Sequence, residues 1–170
     1  MSRLRLRLAV SVTALVALAG AGNAFAAGGV VISQVYGGGG NSGATLRNDY
    51  VELFNRSAAP VSISGWSIQY ASSAGSTWQV TNVTGTLAPG QYYLVQEAAG
   101  AGGTTNLPTP DATGSIPMSG TSGKVALVRS TTALTCGATA GNCFPNASIE
   151  DFVGYGASAK IGRASCRERV

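Results

Sequence analysis

Residues Asn48 to Ile68 constrain the fold of this chain more than any other stretch. In Asn48-Asp49-Tyr50-Val51-Glu52-Leu53-Phe54-Asn55, Val51 and Leu53 fall on one side of an extended chain, opposite Tyr50, Glu52 and Phe54. Successive side chains of a strand point to opposite faces, so this order predicts a strand with one apolar side. Ser57-Ala58-Ala59-Pro60 turns the chain, because proline cannot donate to a ladder and ends pairing. Val61 and Ile63 then alternate with serines, Gly65 breaks the run, and Trp66-Ser67-Ile68-Gln69-Tyr70 resumes as a strand.

The same signals recur along the chain. Val30–Tyr36, Trp78–Val83, Gln91–Glu97, Lys124–Arg129 and Ile149–Tyr155 are strand candidates. Leu87-Ala88-Pro89-Gly90 suits a type II turn, with proline ahead of glycine. Residues 37–43, rich in glycine, are expected to form a flexible loop, and the Gly-, Thr-, Pro- and Ser-rich stretch 98–123 to be irregular. No helical apolar period occurs beyond the N-terminal run, and only 11% of the chain is charged. About seven short strands separated by turns predict an all-β, antiparallel β-sandwich.

The two ends read differently from the middle. Arg3, Arg5 and Arg7 precede an uncharged, largely apolar run from Leu8 to Gly20, and Ala24-Phe25-Ala26 is a small-x-small cleavage site. This is the pattern of a secretory signal over residues 1–26, too short to span a membrane, with cleavage near Ala26 and a secreted, extracellular or periplasmic product. Residues 161–170 resemble the in-frame translation of a sequencing adapter, with Lys160 at the junction, and four of those ten residues are charged. On that reading 160–170 is an artefact, and the domain, 27–159, is cut short at its C-terminal end. The chain's net charge of +4 then misleads, since 27–159 holds four cations against six carboxylates, a net of −2. A basic pI would suggest a nucleic-acid or membrane surface, but here it comes from the ends.

The chain has no histidine, which removes the usual triads and histidine metal sites. The glycines at 37–40 lack the Gly-Lys-Ser/Thr ending of a phosphate loop. Asp49 with Glu52, and Glu150 with Asp151, lack calcium-loop spacing and read as solvated charges. No cofactor or metal is expected. Cys136 and Cys143 are candidates for a short disulfide in an exported chain, and Cys166 falls in the adapter-like end. Val51, Leu53, Trp66, Ile68, Tyr93 and Val95 are the expected core, with Trp66 dominant between the sheets. The competing use of aromatics is an exposed platform for sugars or bases, for which Tyr70, Trp78 and Tyr92 are the candidates. Asn55 is expected to form a turn, its side chain bonding nearby backbone.

Taken in order, Val31-Ile32-Ser33-Gln34-Val35-Tyr36, Asp49-Tyr50-Val51-Glu52-Leu53-Phe54-Asn55, Val61-Ser62-Ile63-Ser64-Gly65-Trp66-Ser67-Ile68, Leu87-Ala88-Pro89-Gly90-Gln91-Tyr92-Tyr93-Leu94-Val95 and Gly123-Lys124-Val125-Ala126-Leu127-Val128 resemble a bacterial lamin tail domain. The resemblance implies an immunoglobulin-like sandwich without catalytic residues of its own. It also implies an accessory module of a secreted protein, most similar to the N-terminal module of extracellular nucleases. Its partners would be a missing C-terminal catalytic domain, or a polysaccharide or nucleic acid polymer. An independent carbohydrate- or nucleic-acid-binding domain is the alternative, and a small secreted hydrolase with paired acids is the third.

Overall fold

A computed structural model describes residues 29–161; the predicted signal and the adapter-like residues 162–170 lie outside the described residues. The strands run in the order β1 (Val30–Tyr36), β2 (Asn48–Asn55), β3 (Val61–Ser62), β4 (Trp66–Ser72), β5 (Gln79–Val83), β6 (Thr86–Leu87), β7 (Tyr92–Ala99), β8 (Ala112–Thr113), β9 (Gly123–Val128) and β10 (Ile149–Tyr155). One sheet has the order β1-β2-β7-β8 and the other β10-β9-β4-β5, with β3 and β6 as a small third ladder. All pairings are antiparallel except β7 with β8. The chain is an all-β, immunoglobulin-like sandwich. Its strands exceed the expected seven because β3, β6 and β8 are two residues each. Such short pieces carry no periodicity to read.

The alternation in β2 sets the layers. Val51 and Leu53 are fully buried, and their register partners Val35, Val95, Ile32 and Tyr93 lie on the same inner face. Ile68, Tyr70, Val125 and Leu127 meet them from the second sheet. Each large apolar side chain buried in this layer contributes about 1.5–3 kcal/mol. Trp66 does not dominate that layer as expected. It is half-buried at the rim, with the Arg129 guanidinium 5.5 Å from its ring centroid. It opens β4 beside the turn at Gly65, so one side of the ring meets solvent.

Local chemistry fixes the turns. Gln91 N–H donates to the Ala88 carbonyl, and Gly90 takes φ +74°, the left-handed value that a type II turn requires and glycine adopts without strain. The Asn55 side chain accepts from Ser57 and donates to the Ala59 and Leu87 carbonyls, closing the β2–β3 turn. The glycine-rich segment, expected to be flexible, is instead packed. Gly39 and Gly40 are buried, and a Cβ on either would strike the backbone of Asn48 or Gly100. Residues 98–123, expected to be irregular, contain β8 and are held by three carboxylates. Asp111 accepts from Leu94 N–H, Glu97 from Ile116 N–H and Asp49 from Met118 N–H.

The second sheet is covered on its outer side as well. Residues 130–148 cross it and close a second apolar cluster of Ala71, Trp78, Ala126, Val128, Leu134, Cys143 and Phe152. Polar side chains of the strands pin this segment. Ser67 donates to Ser130 O at 2.6 Å, and Gln69 donates to Thr132 O and accepts from Leu134 N–H. Lys124, fully buried, donates to the Gly75 and Gly137 carbonyls at 2.7 and 2.6 Å. Cys136 and Cys143 are joined in a disulfide within the segment, which adds a covalent closure. Of the adapter-like end, Lys160 N–H donates to Ser73 O and Ile161 packs on this same cluster.

Candidate functional site

Among the described residues, no segment covers the outer side of the first sheet in this way. Its rows follow from register. Val31, Phe54 and Tyr92 form one row, Gln34, Glu52 and Leu94 the next, and Tyr36, Tyr50 and Gln96 the third. A β-bulge in β1 between Ile32 and Gln34 shifts the phase of the strand. Without the extra residue, Tyr36 would share the inner face with Ile32; with it, Tyr36 comes out beside Tyr50.

Two aromatic pairs result. Tyr36 and Tyr50 stack with ring centroids 5.5 Å apart and planes at 24°; Phe54 and Tyr92 sit at 4.7 Å and 38°. Tyr50 and Phe54 are four residues apart, about 13 Å along an antiparallel strand. Tyr92 is 56% exposed, the most exposed large hydrophobic among the described residues, and the other three rings are half-buried. The polar row between the pairs is ordered. Tyr50 OH donates to Gln34 Oε1 at 2.9 Å, and Ser33 Oγ donates to Glu52 Oε1 at 2.6 Å. Partial burial, then the charge of Glu52 and the ionisable hydroxyl of Tyr36, raise the Tyr50 pKa above its ordinary value, so its hydroxyl stays a donor. Among the described residues no lysine or arginine projects from these three rows; Arg47 and Arg56 lie just beyond the two ends of β2.

Of the three residues expected on a platform, only Tyr92 is on this face. Tyr70 is 5% exposed, since its place two residues after Ile68 points it into the inner layer, where its hydroxyl accepts from Ser119 N–H. Trp78 is 5% exposed under the 130–148 segment, and its indole N–H donates to Cys136 O at 2.7 Å. Tyr36, Tyr50 and Phe54 were missed as surface candidates. For Tyr50 and Phe54 the signal was present, because they alternate with the core residues Val51 and Leu53. For Tyr36 the bulge left none.

The acids do other work. Asp49, read from sequence as a solvated charge, is 4% exposed, because its position in β2 is in phase with Val51 and Leu53. It accepts from Gly39 and Met118 N–H, and burial nonetheless raises its pKa. Glu97 is raised for the same first reason, its Oε2 accepting from Ile116 N–H and the Thr81 hydroxyl while Oε1 has no hydrogen-bond partner. Asp151 is not simply solvated either: it accepts from Ile32 N–H on the edge of β1, while Glu150 pairs with Arg129. These carboxylates cap backbone groups or pair with a cation, and the charge of Asp49 adds to the rise at Glu97. Among the described residues no three His, Cys, Asp or Glu side chains group as a metal site. No helix among them is long and apolar enough to cross a membrane.

The family model of the Lamin Tail Domain matches residues 23–141, well over half of the chain. No curated protein matches it.

Proposed function

The chain belongs to the lamin tail domain family, and from that premise we propose that it is the non-catalytic accessory module of an exported bacterial protein, holding that protein to a polymer or envelope surface. The lamin tail domain is itself a β-sandwich module of the binding or accessory type. The observation that carries the reading is the open face of the first sheet, with its two ordered aromatic pairs. Export is supported by the basic, apolar and small-x-small order of residues 1–26. An extracellular nuclease is the proposed larger protein, on the likeness of the Asp49 segment and the glycine-rich segment to that group.

The mature chain from Ala27 onward is the material for the test. Incubated with duplex DNA and with soluble polysaccharides in the presence of divalent cations, it is expected to cleave neither. Fused to a fluorescent reporter, it is expected to retain the reporter on the surface of envelope-bearing cells. Turnover that disappears in Glu52→Gln would instead make the chain a hydrolase and end the accessory reading.

A further inference from the structure

We propose that the outer face of β1, β2 and β7 is a binding site for a neutral polysaccharide, an inference that rests on the binding-module reading above. The face offers two stacking stations with a polar row between them. Tyr36 with Tyr50 forms one and Phe54 with Tyr92 the other, separated by Gln34 and Glu52. A pyranose has the matching anatomy: an apolar face of C–H groups that lies on an aromatic ring, and a rim of hydroxyls that needs donors and acceptors. Gln34 and Gln96 supply amides, and Glu52 accepts hydroxyl protons in charge-assisted bonds.

Charge selects among the polymers. The one formal charge in the three rows is the Glu52 carboxylate, so a polyanion laid across them meets repulsion at the centre of the face. Nucleic acid binding draws its affinity from cations that neutralise phosphates, and here Arg47 and Arg56 stand outside the rows. An apolar protein surface sealing the face would bury Glu52 without a cation, which is costly, whereas a hydroxylated ligand satisfies it. The face is also ordered beforehand. The bonds from Tyr50 to Gln34 and from Ser33 to Glu52 hold the polar row in place, so less side-chain entropy is lost on binding. Where the outer face of the other sheet is sealed by residues 130–148, the described residues leave Tyr92 exposed and the other three rings half-buried on this one.

The test titrates the mature chain with cello-, chito- and malto-oligosaccharides, and with duplex DNA and heparin as polyanions, at low and high salt. At least one neutral glycan is expected to bind with little salt dependence. Tyr50→Ala and Tyr92→Ala are each expected to weaken it about 10-fold or more, the scale of one lost stacking partner. Gln79→Ala, at an exposed position of β5 in the other sheet, should leave it unchanged. Ligand-induced NMR shifts in the unaltered chain, confined to Tyr36, Gln34, Tyr50, Phe54 and Tyr92, provide a reading independent of variant folding. Failure to bind any neutral glycan, shifts that fall elsewhere, or binding to the polyanions alone with steep salt dependence would overturn the glycan assignment. Reporter retention without DNA or glycan cleavage would in that case leave the accessory reading standing.

Discussion

On the outside of β4 and β9 the polar side chains of Ser67, Gln69 and Lys124 are fully buried beneath residues 130–148, while on the outside of β1, β2 and β7 the rings of Tyr36, Tyr50, Phe54 and Tyr92 stay in contact with water. Hydrophobicity of the strand residues would have assigned these fates the other way round. What separates the two faces is a segment far along the chain that covers one and leaves the other. Burying a polar group costs free energy unless its hydrogen bonds are replaced. Ser67, Gln69 and Lys124 meet that condition by bonding the backbone of the segments that cover them. They act as pegs for the cover, and among the described residues the open face has no counterpart to them.

Aromatic truncations on the two faces are expected to behave differently. Trp78→Ala, under the cover, is expected to cost about 4 kcal/mol in denaturant unfolding, as buried tryptophans do. It should also strand the Cys136 carbonyl that the indole N–H now serves. A loss below ~1 kcal/mol, the level of a surface substitution, would break the comparison by showing that the segment does not seal that face. Lys124→Met tests the pegs directly. It keeps much of the volume but leaves the Gly75 and Gly137 carbonyls without their donor, at about 3 kcal/mol for two lost charge-assisted bonds. Replacing both Cys136 and Cys143 by serine removes the covalent closure of the cover and should cost about 2.5 kcal/mol for so short a loop.

The layer common to both faces should answer to pH instead. Glu97 has its pKa raised above the ordinary glutamate value of 4.5, first by burial and against the bonds from Ile116 and Thr81. The native state therefore holds this proton more tightly than the unfolded chain does. Its contribution favours folding below pH 4.5 and is lost as pH rises through the higher native value. Glu97→Gln should flatten that part of the stability–pH curve; an unaltered curve, measured by thermal unfolding across mildly acid to neutral pH, would contradict the assignment. The smallest effect belongs to the open face. Tyr92→Ala is expected to change stability by no more than ~0.5 kcal/mol, while it weakens ligand retention. A loss comparable to that of Trp78→Ala would mean that the ring has a structural role and that the two faces are alike.

The all-β class, most strand positions and the inner face of β2 were legible because they are local. A strand's pleat sends neighbouring side chains to opposite sides whatever surrounds it, so Val51 and Leu53 had to share a layer. The type II turn at Gly90 was equally legible, since its geometry is a property of four residues. The same alternation placed Tyr50 and Phe54 opposite that layer, and thereby held half of the candidate site in plain view. It also aimed Asp49 inward with Val51, although its charge suggested water.

By itself, then, the sequence determined which side chains travel together on a strand. Which of those groups would be wet was decided by the tertiary structure, because burial depends on what arrives from elsewhere. Trp78 is dry because residues 130–148 return across it, and Tyr36 is outside because one extra residue in β1 reverses the phase of the strand. Neither event leaves a periodic trace in the residues it acts on. The physical reason is one of range: pleat and turn geometry are set by bonds between neighbours, whereas the removal of water needs two surfaces that lie dozens of residues apart in the chain.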